Sequence, residues 1–319
     1  MKSHSTKPRV GIIGTPEADR LKQGSLAVAA RGFRNFVEHE PMTLGLVGDD
    51  QKAREMRYRL DARSEDWLLM TGGVTVTKRH WKQQGDKLRA VPAMISQKLP
   101  RMLAGCDWWY VQPTPGSDLS ALREIMVAAK ESGTKVYLQL DEQQIDSVDE
   151  VIQLASQADF VQVDETTLRE LAAGEKHPVE ALAILRERGL HNIVATLGPA
   201  GVLGLDEGEW MYDFGWRVKK ALRHEASSVF GSIMVASLAE QRSPDEAILK
   251  SNKAAAAHVS YTSWRGRKGL DALNVGKRQR PTWTLPALSE TRQLVTAIAA
   301  VVAWVIATTV AVGIGGAIL

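Results

Sequence analysis

Two hydroxyl side chains stand together in His224-Glu225-Ala226-Ser227-Ser228, directly before the apolar run Val229-Phe230-Gly231-Ser232-Ile233. A serine at a helix start can be activated as a nucleophile by an adjacent base, and the open N–H groups of such a start can hold an anion. Here Ser228 has no acid or imidazole beside it in the sequence, so it does not stand in for a carboxylate as a general base near neutrality. Ser227 or Ser228 is expected instead as the N-cap of the helix that follows. His224 is the candidate for a displaced base, although its basic neighbours and polar loop favour a surface position. The seven histidines are scattered without the HExxH spacing of a metal site. Cys106 is the single cysteine, which excludes an intrachain disulfide and any multi-cysteine metal cage.

The elements that must position these residues alternate. Short apolar strands are expected at "RVGIIG", "MTLGLVG", "CDWWYVQ", "TKVYLQLD", "ADFVQVD" and "HNIVATLG". Helical periods lie in "LSALREIMVAAKESG", "SVDEVIQLASQ", "ETTLRELAAG", "PVEALAILRERG", "SSVFGSIMVASLAEQ" and "SPDEAILKSNKAAAAHVS". "GVLGLDEGEWMYDFG" reads as two short strands turning at Glu207 and Gly208, and residues 66–92 as β-rich pieces forming a hairpin. Strands alternating with helices of this length predict an α/β domain of three layers, a mostly parallel central sheet covered on both faces. Ligands in such sheets sit beyond the carboxyl ends of the strands, which directs attention to the loops at 14–19, 48–50, 112–118, 141–143, 164–167 and 197–201. Trp108, Trp109 and Tyr110 are expected not to face inward together on one strand, and the exposed aromatics are candidates for an interface.

The chain's 319 residues carry a formal charge of +3, too small to suggest nucleic acid as a partner. The N-terminus lacks the apolar region of a signal peptide. The C-terminus, residues 293–319, has no charged side chain. As a helix it would be about 40 Å long against a hydrocarbon core of about 30 Å, so a membrane span is expected. Arg265, Arg267, Lys268, Lys277, Arg278, Arg280 and Arg292 precede the span, and the positive-inside rule then keeps the large domain in the cytoplasm. The expected layout is a domain over 1–275, a basic juxtamembrane linker over 276–292, and a single-pass, tail-anchoring transmembrane helix over 293–319 in the lipid bilayer. Ala299, Ala303, Ala307, Ala311 and Gly315 make a stripe of small side chains, a surface on which two such helices could pack as a homo-oligomer.

From about residue 9 to 275 the order of segments resembles the ribokinase-like (PfkB-type) carbohydrate kinases. "GLVGDD", "GTKVYLQLDEQ", "ADFVQVDETTLRELAAG", "ATLGPAGVLGLDEG" and "SPDEAILKSNKAAAAHVS" are each similar to a family segment and follow one another in the family's order. The resemblance implies phosphorylation of a small hydroxylated substrate with ATP and Mg²⁺. It places Thr196, Gly198 and Gly201 in a nucleotide-side turn, Asn252 and Ala256 on a late helix beside the base, and Asp164 and Glu165 near a metal. Asp164 is equally suited to cap a helix.

The family's catalytic segment, approximately "DTTGAGD.F", falls on "LRHEASSVF". Glu225 and Ser227 then occupy glycine positions and Ser228 the position of the base, while Ala226 and Phe230 keep their character. Glycine permits the close backbone approach of an anion nest, whereas Glu225 adds a side chain and a negative charge. Thr167 replaces the second acid of the "NE.E" pattern, and Val28 an expected asparagine at the substrate end. The sequence therefore favours a catalytically inactive, pseudokinase-type domain at the cytoplasmic membrane face, a scaffold or protein-binding module with no firmly assigned cofactor. A divergent ATP-dependent sugar or nucleoside kinase, or a sensor of a nucleotide or metabolite, is the alternative.

Overall fold

The computed structural model describes residues 8–14, 25–37, 41–47, 51, 66–70, 105–113, 119–140, 147–216, 223–260 and 278–279. The strands are β1 (Val10–Gly14), β2 (Met42–Val47), β3 (Asp66–Met70), β4 (Trp108–Val111), β5 (Lys135–Leu140), β6 (Phe160–Asp164), β7 (Ile193–Thr196), β8 (Gly201–Asp206), β9 (Glu209–Trp216) and β10 (Arg278–Gln279). The helices are α1 (Ser25–Phe36), α2 (Leu119–Ser132), α3 (Val148–Ala155), α4 (Glu165–Leu171), α5 (Pro178–Glu187), α6 (Arg223–Ala239) and α7 (Pro244–Ser260).

The strands form one sheet in the order β10-β9-β8-β7-β6-β5-β4-β1-β2-β3. Pairing is parallel from β3 across to β7, and antiparallel from β7 through β8 and β9 to β10. The expected α/β architecture with a mostly parallel sheet is therefore present. The turn between β8 and β9 also lies where its residues required it. Glu207 at φ 48° and Gly208 at φ 87° supply the two left-handed positions of a tight hairpin.

One sheet face packs on α1, α6 and α7, where Ile12, Phe33, Tyr110, Tyr137, Phe160, Phe230 and Met234 share a core. Residues of opposite parity, such as Trp109, Leu138 and Val163, are buried too. Both faces being covered, Trp108, Trp109 and Tyr110 are all buried, contrary to the expectation that some would be exposed. Gly11 on the neighbouring strand makes room for Trp109: a Cβ there would stand 2.6 Å from the indole ring.

Three further expectations change. Asp66–Met70 pairs in parallel with β2, and the rest of the expected hairpin lies outside the described residues. Helix α6 begins at Arg223, so Ser227 and Ser228 sit a turn inside it and do not cap it. Arg278 and Gln279, expected in the basic linker, form β10 on the edge of the domain.

Among the described residues no helix is long and apolar enough to cross a membrane, and the segment 293–319 lies outside them. All described residues belong to one compact unit, Met1–Pro281.

Candidate functional site

Three successive parallel strands carry the same pattern on the face turned to α6: Tyr110-Val111-Gln112, Tyr137-Leu138-Gln139 and Phe160-Val161-Gln162. Side chains two residues apart on a strand share a face, so an aromatic row lies beneath a glutamine row. Tyr110 pairs in register with Tyr137, Tyr137 with Phe160, and Gln139 with Gln162. The Tyr110 and Tyr137 rings meet edge to face at 5.5 Å, and the Tyr137 and Phe160 rings stack at 5.7 Å.

The glutamine row lies at the carboxyl ends of the strands, directly against the second turn of α6. Gln162 Nε2 donates to Ser227 Oγ at 2.7 Å and to the Ser227 carbonyl at 3.1 Å, and Gln139 Nε2 reaches the same hydroxyl at 3.2 Å. Gln112 Nε2 lies 3.1 Å from Ser228 Oγ, 2.7 Å from the Tyr110 hydroxyl and 3.0 Å from Gln139 Oε1. Tyr110 donates to Gln139 Oε1, and Tyr137 donates to Gln162 Oε1 at 2.9 Å. The tyrosines and glutamines are all buried, as is Ser228. Gly231, one turn further along α6, allows this approach: a Cβ there would lie 2.6 Å from Gln162 Oε1 and closer still to the Tyr110 hydroxyl.

Such a cluster is costly unless its members satisfy one another, and these largely do. The buried atom left over is Gln112 Oε1, which has no partner and lies beside Gly14 at the end of β1. The described side-chain partners of Ser227 and Ser228 are amides and a phenol, none of which titrates near neutrality. The arrangement can hold the helix against the sheet; among the described residues it supplies no base to take a hydroxyl proton.

The early start of α6 follows from the same residues. Glycine costs about 1 kcal/mol in a helix relative to alanine, and Glu225 and Ser227 cost less. The helix therefore runs back through the segment to Arg223. The open N–H groups of a helix belong to its first turn, which leaves those of Ser227 and Ser228 inside the hydrogen-bonded ladder. His224 and Glu225 lie in that first turn, and their side chains are outside the described residues.

Asp164 ends β6 and caps α4, its Oδ1 accepting from the Thr167 N–H at 2.7 Å. Glu165 follows on α4 and pairs with Arg169 at the surface. Among the described residues no three His, Cys, Asp or Glu side chains gather in a way that could hold a metal ion. Thr196, in register beside Asp164, bonds through its hydroxyl to the Val163 carbonyl at 3.4 Å.

After β7 a short turn, Gly198–Ala200, leads into β8. Gly198 has φ 56° and open space around its Cα, whereas Gly201, at φ 105°, lies so close to β9 that a Cβ would come within 2.5 Å of the Gly215 nitrogen. Gly201 pairs with Phe214, whose carbonyl accepts from Asn252 Nδ2 at 2.9 Å. The structure thus brings Gly201 and Asn252 to one place, yet Asn252 spends the same nitrogen on Asp213 Oδ2 at 2.7 Å. Ala256, one turn along α7, packs against the core. As placed, Asp164 and Asn252 hold the protein's own backbone and side chains, and no step through ATP or Mg²⁺ follows from them.

A ribokinase-like protein from Agrobacterium tumefaciens superposes with a TM-score of 0.63 at 18% identity, covering 83% of this chain and 95% of that one. The fold is ribokinase-like. Ribokinase from Thermotoga maritima gives a TM-score of 0.58 at 17% identity, covering 80% and 94% of the two chains. Arabidopsis thaliana ribokinase, solved with ribose and ATP, gives 0.59 at 15%, covering 84% and 97%. In sequence, a ribokinase from Haemophilus influenzae is 30% identical over 172 residues, 52% of this chain. The match spans 54% of that protein, about half its length. No family model matches the chain.

The glutamine row was not anticipated from the sequence. Its signal is there, in the thrice-repeated aromatic-x-Gln at the ends of "WWYVQ", "KVYLQ" and "DFVQ".

Proposed function

We propose that this ribokinase-like domain has exchanged phosphoryl transfer for binding, and that it works as a scaffold or protein-binding module held at the cytoplasmic face of a membrane by residues 293–319. The observation that carries the non-catalytic part is the Gln112–Gln139–Gln162 row closed over Ser227 and Ser228. Transfer to a hydroxyl needs a group that takes the proton and a set of open donors for the developing charge. Here the hydroxyls at the start of α6 are tied to neutral amides, and their backbone N–H groups are internal to the helix. The membrane part rests on the uncharged 27-residue tail and the basic residues before it.

The test uses the full-length chain in detergent with ATP, Mg²⁺ and a panel of sugars and nucleosides, following ADP release. No substrate-dependent release above background is expected, and a phosphorylated product would refute the proposal. Alkaline carbonate extraction of membranes tests the tether: the full chain stays in the pellet, and its recovery in the wash would remove that half of the reading.

The second reading, a divergent small-molecule kinase or a nucleotide sensor, is favoured by the open Gly198 turn and by the 30% identity to a ribokinase over 172 residues. Calorimetric titration with ATP and Mg²⁺ separates it from a pure scaffold, since saturable binding belongs to that reading alone.

A further inference from the structure

Strand β10 contributes only two residues, Arg278 opposite Trp216 and Gln279 opposite Gly215. To this two-residue ladder the side chain of Arg278 adds an attachment of its own. Its guanidinium pairs with Asp213 Oδ1 and lies 4.6 Å above the centre of the Trp216 ring. A guanidinium suits both contacts, being planar for stacking and forked for a carboxylate.

Asp213 is the less ordinary partner. On β9 it shares the inward face with Met211 and Gly215, and only 3% of it is exposed. A carboxylate buried on a core face is tolerated when other elements supply its hydrogen bonds and counter-charge. Two do so here: Asn252 from α7 bonds Oδ2, and Arg278 from β10 takes Oδ1. Asn252 also bonds the Phe214 carbonyl, which fixes the strand on which Asp213 sits. The sequence of holds runs from α7 through β9 to β10. Removing either partner leaves a buried charge short of a ligand, so each stabilises the attachment of the other.

We propose that β10 is a docking strap: Arg278 closes it onto the edge at β9 through Asp213, and Asn252, whose described hydrogen bonds go to Asp213 and Phe214 on β9, sets how firmly it holds by fixing that carboxylate. The proposal is independent of whether the domain transfers phosphate.

The test is limited trypsin digestion of the full-length chain, scoring by mass spectrometry the cleavage after Lys277, a peptide bond that a docked strap withholds from the protease. Asp213→Asn is expected to raise the rate at this bond at least tenfold relative to cleavage after Lys250 on α7. Asn252→Leu should raise it several-fold although it alters nothing on β10. Arg278→Lys keeps the positive charge and loses the fork and the stacking surface; with its side chain 40% exposed it leaves the core untouched, and an increase of about threefold or more is expected. Unchanged cleavage after Lys277 in Arg278→Lys would overturn the strap, even if the two buried substitutions loosened the whole domain. Release in Arg278→Lys and Asp213→Asn with none in Asn252→Leu would overturn the role given to Asn252.

Discussion

Replacing Gln162 by leucine, which is of similar size, tests whether the glutamine row holds the domain together. Gln162 is fully buried and serves both sides of the interface, accepting from the Tyr137 hydroxyl at 2.9 Å and donating to Ser227 Oγ at 2.7 Å. Leucine would fill the space and offer neither contact. A buried polar group deprived of its partner costs about 1–3 kcal/mol. Three groups lose Gln162, but Ser227 Oγ keeps Gln139 Nε2 at 3.2 Å and the Ser227 carbonyl, 3.1 Å from Gln162 Nε2, belongs to the helical ladder of α6, so for Ser227 as a whole the lower half of the range applies. A loss of about 2–5 kcal/mol follows, which in a domain of this size lowers the melting temperature by roughly 4–20 °C. Thermal unfolding of the full-length chain in detergent, followed by circular dichroism, measures it. Adding Tyr137→Phe removes the hydroxyl whose bond to Gln162 is lost in Gln162→Leu, so the double variant should be less destabilised than the sum of the singles by about 1 kcal/mol or more. Additivity within about 0.5 kcal/mol, or a Gln162→Leu variant that melts with the wild type, would show that the row is incidental to the packing of α6.

Gly231→Ala should destabilise the domain by about 1–3 kcal/mol in the same melting experiment, although alanine is the better helix former, because its Cβ would be driven into Tyr110 and Gln162. Cys106 is buried and desolvation pushes its thiol up to about 11, so in the folded chain it should react with an aromatic disulfide at pH 8 far more slowly than after unfolding. Equal rates in the two states would contradict the burial. For the thiol the sign is simple: the folded chain keeps the proton through neutral pH, and Cys106 becomes a nucleophile only as the pH approaches its raised value.

How far the sequence spoke for the fold varies with the range of the forces involved. The hairpin at Glu207 and Gly208 was legible because a tight turn is decided by its own two residues. The parallel sheet was legible because strands covered on both sides are apolar on both sides, as in "WWYV" and "IVAT". That same property explains why Trp108, Trp109 and Tyr110 were misjudged as a set: alternation predicts one wet face, and the middle of this sheet has none. Gln112, Gln139 and Gln162 were missed for a related reason. A glutamine at a strand end ordinarily meets water, and its burial here depends on α6, which arrives from more than sixty residues away in the chain. Ser227 and Ser228 looked like caps because hydroxyls before an apolar run usually are; the helix instead runs back to Arg223, with no glycine in between to interrupt it. Arg278 looked like linker because a strand of two residues has no period to recognise, and its partner, Asp213, is 65 residues away.

The mutual satisfaction of the glutamine row also bears on how readily the site can change. Each amide is held by a neighbour that would lose its own partner if that amide were removed, so the first step out of the arrangement is uphill whichever residue takes it. An aspartate placed at position 228 would set a carboxylate beside Gln112, leaving Gln139 and Gln162 still fastened to Ser227 and α6 still wound back to Arg223. Opening an anion nest here would require the helix to shorten and the amides to withdraw together. The row thus acts as a cooperative lock, which no single substitution opens.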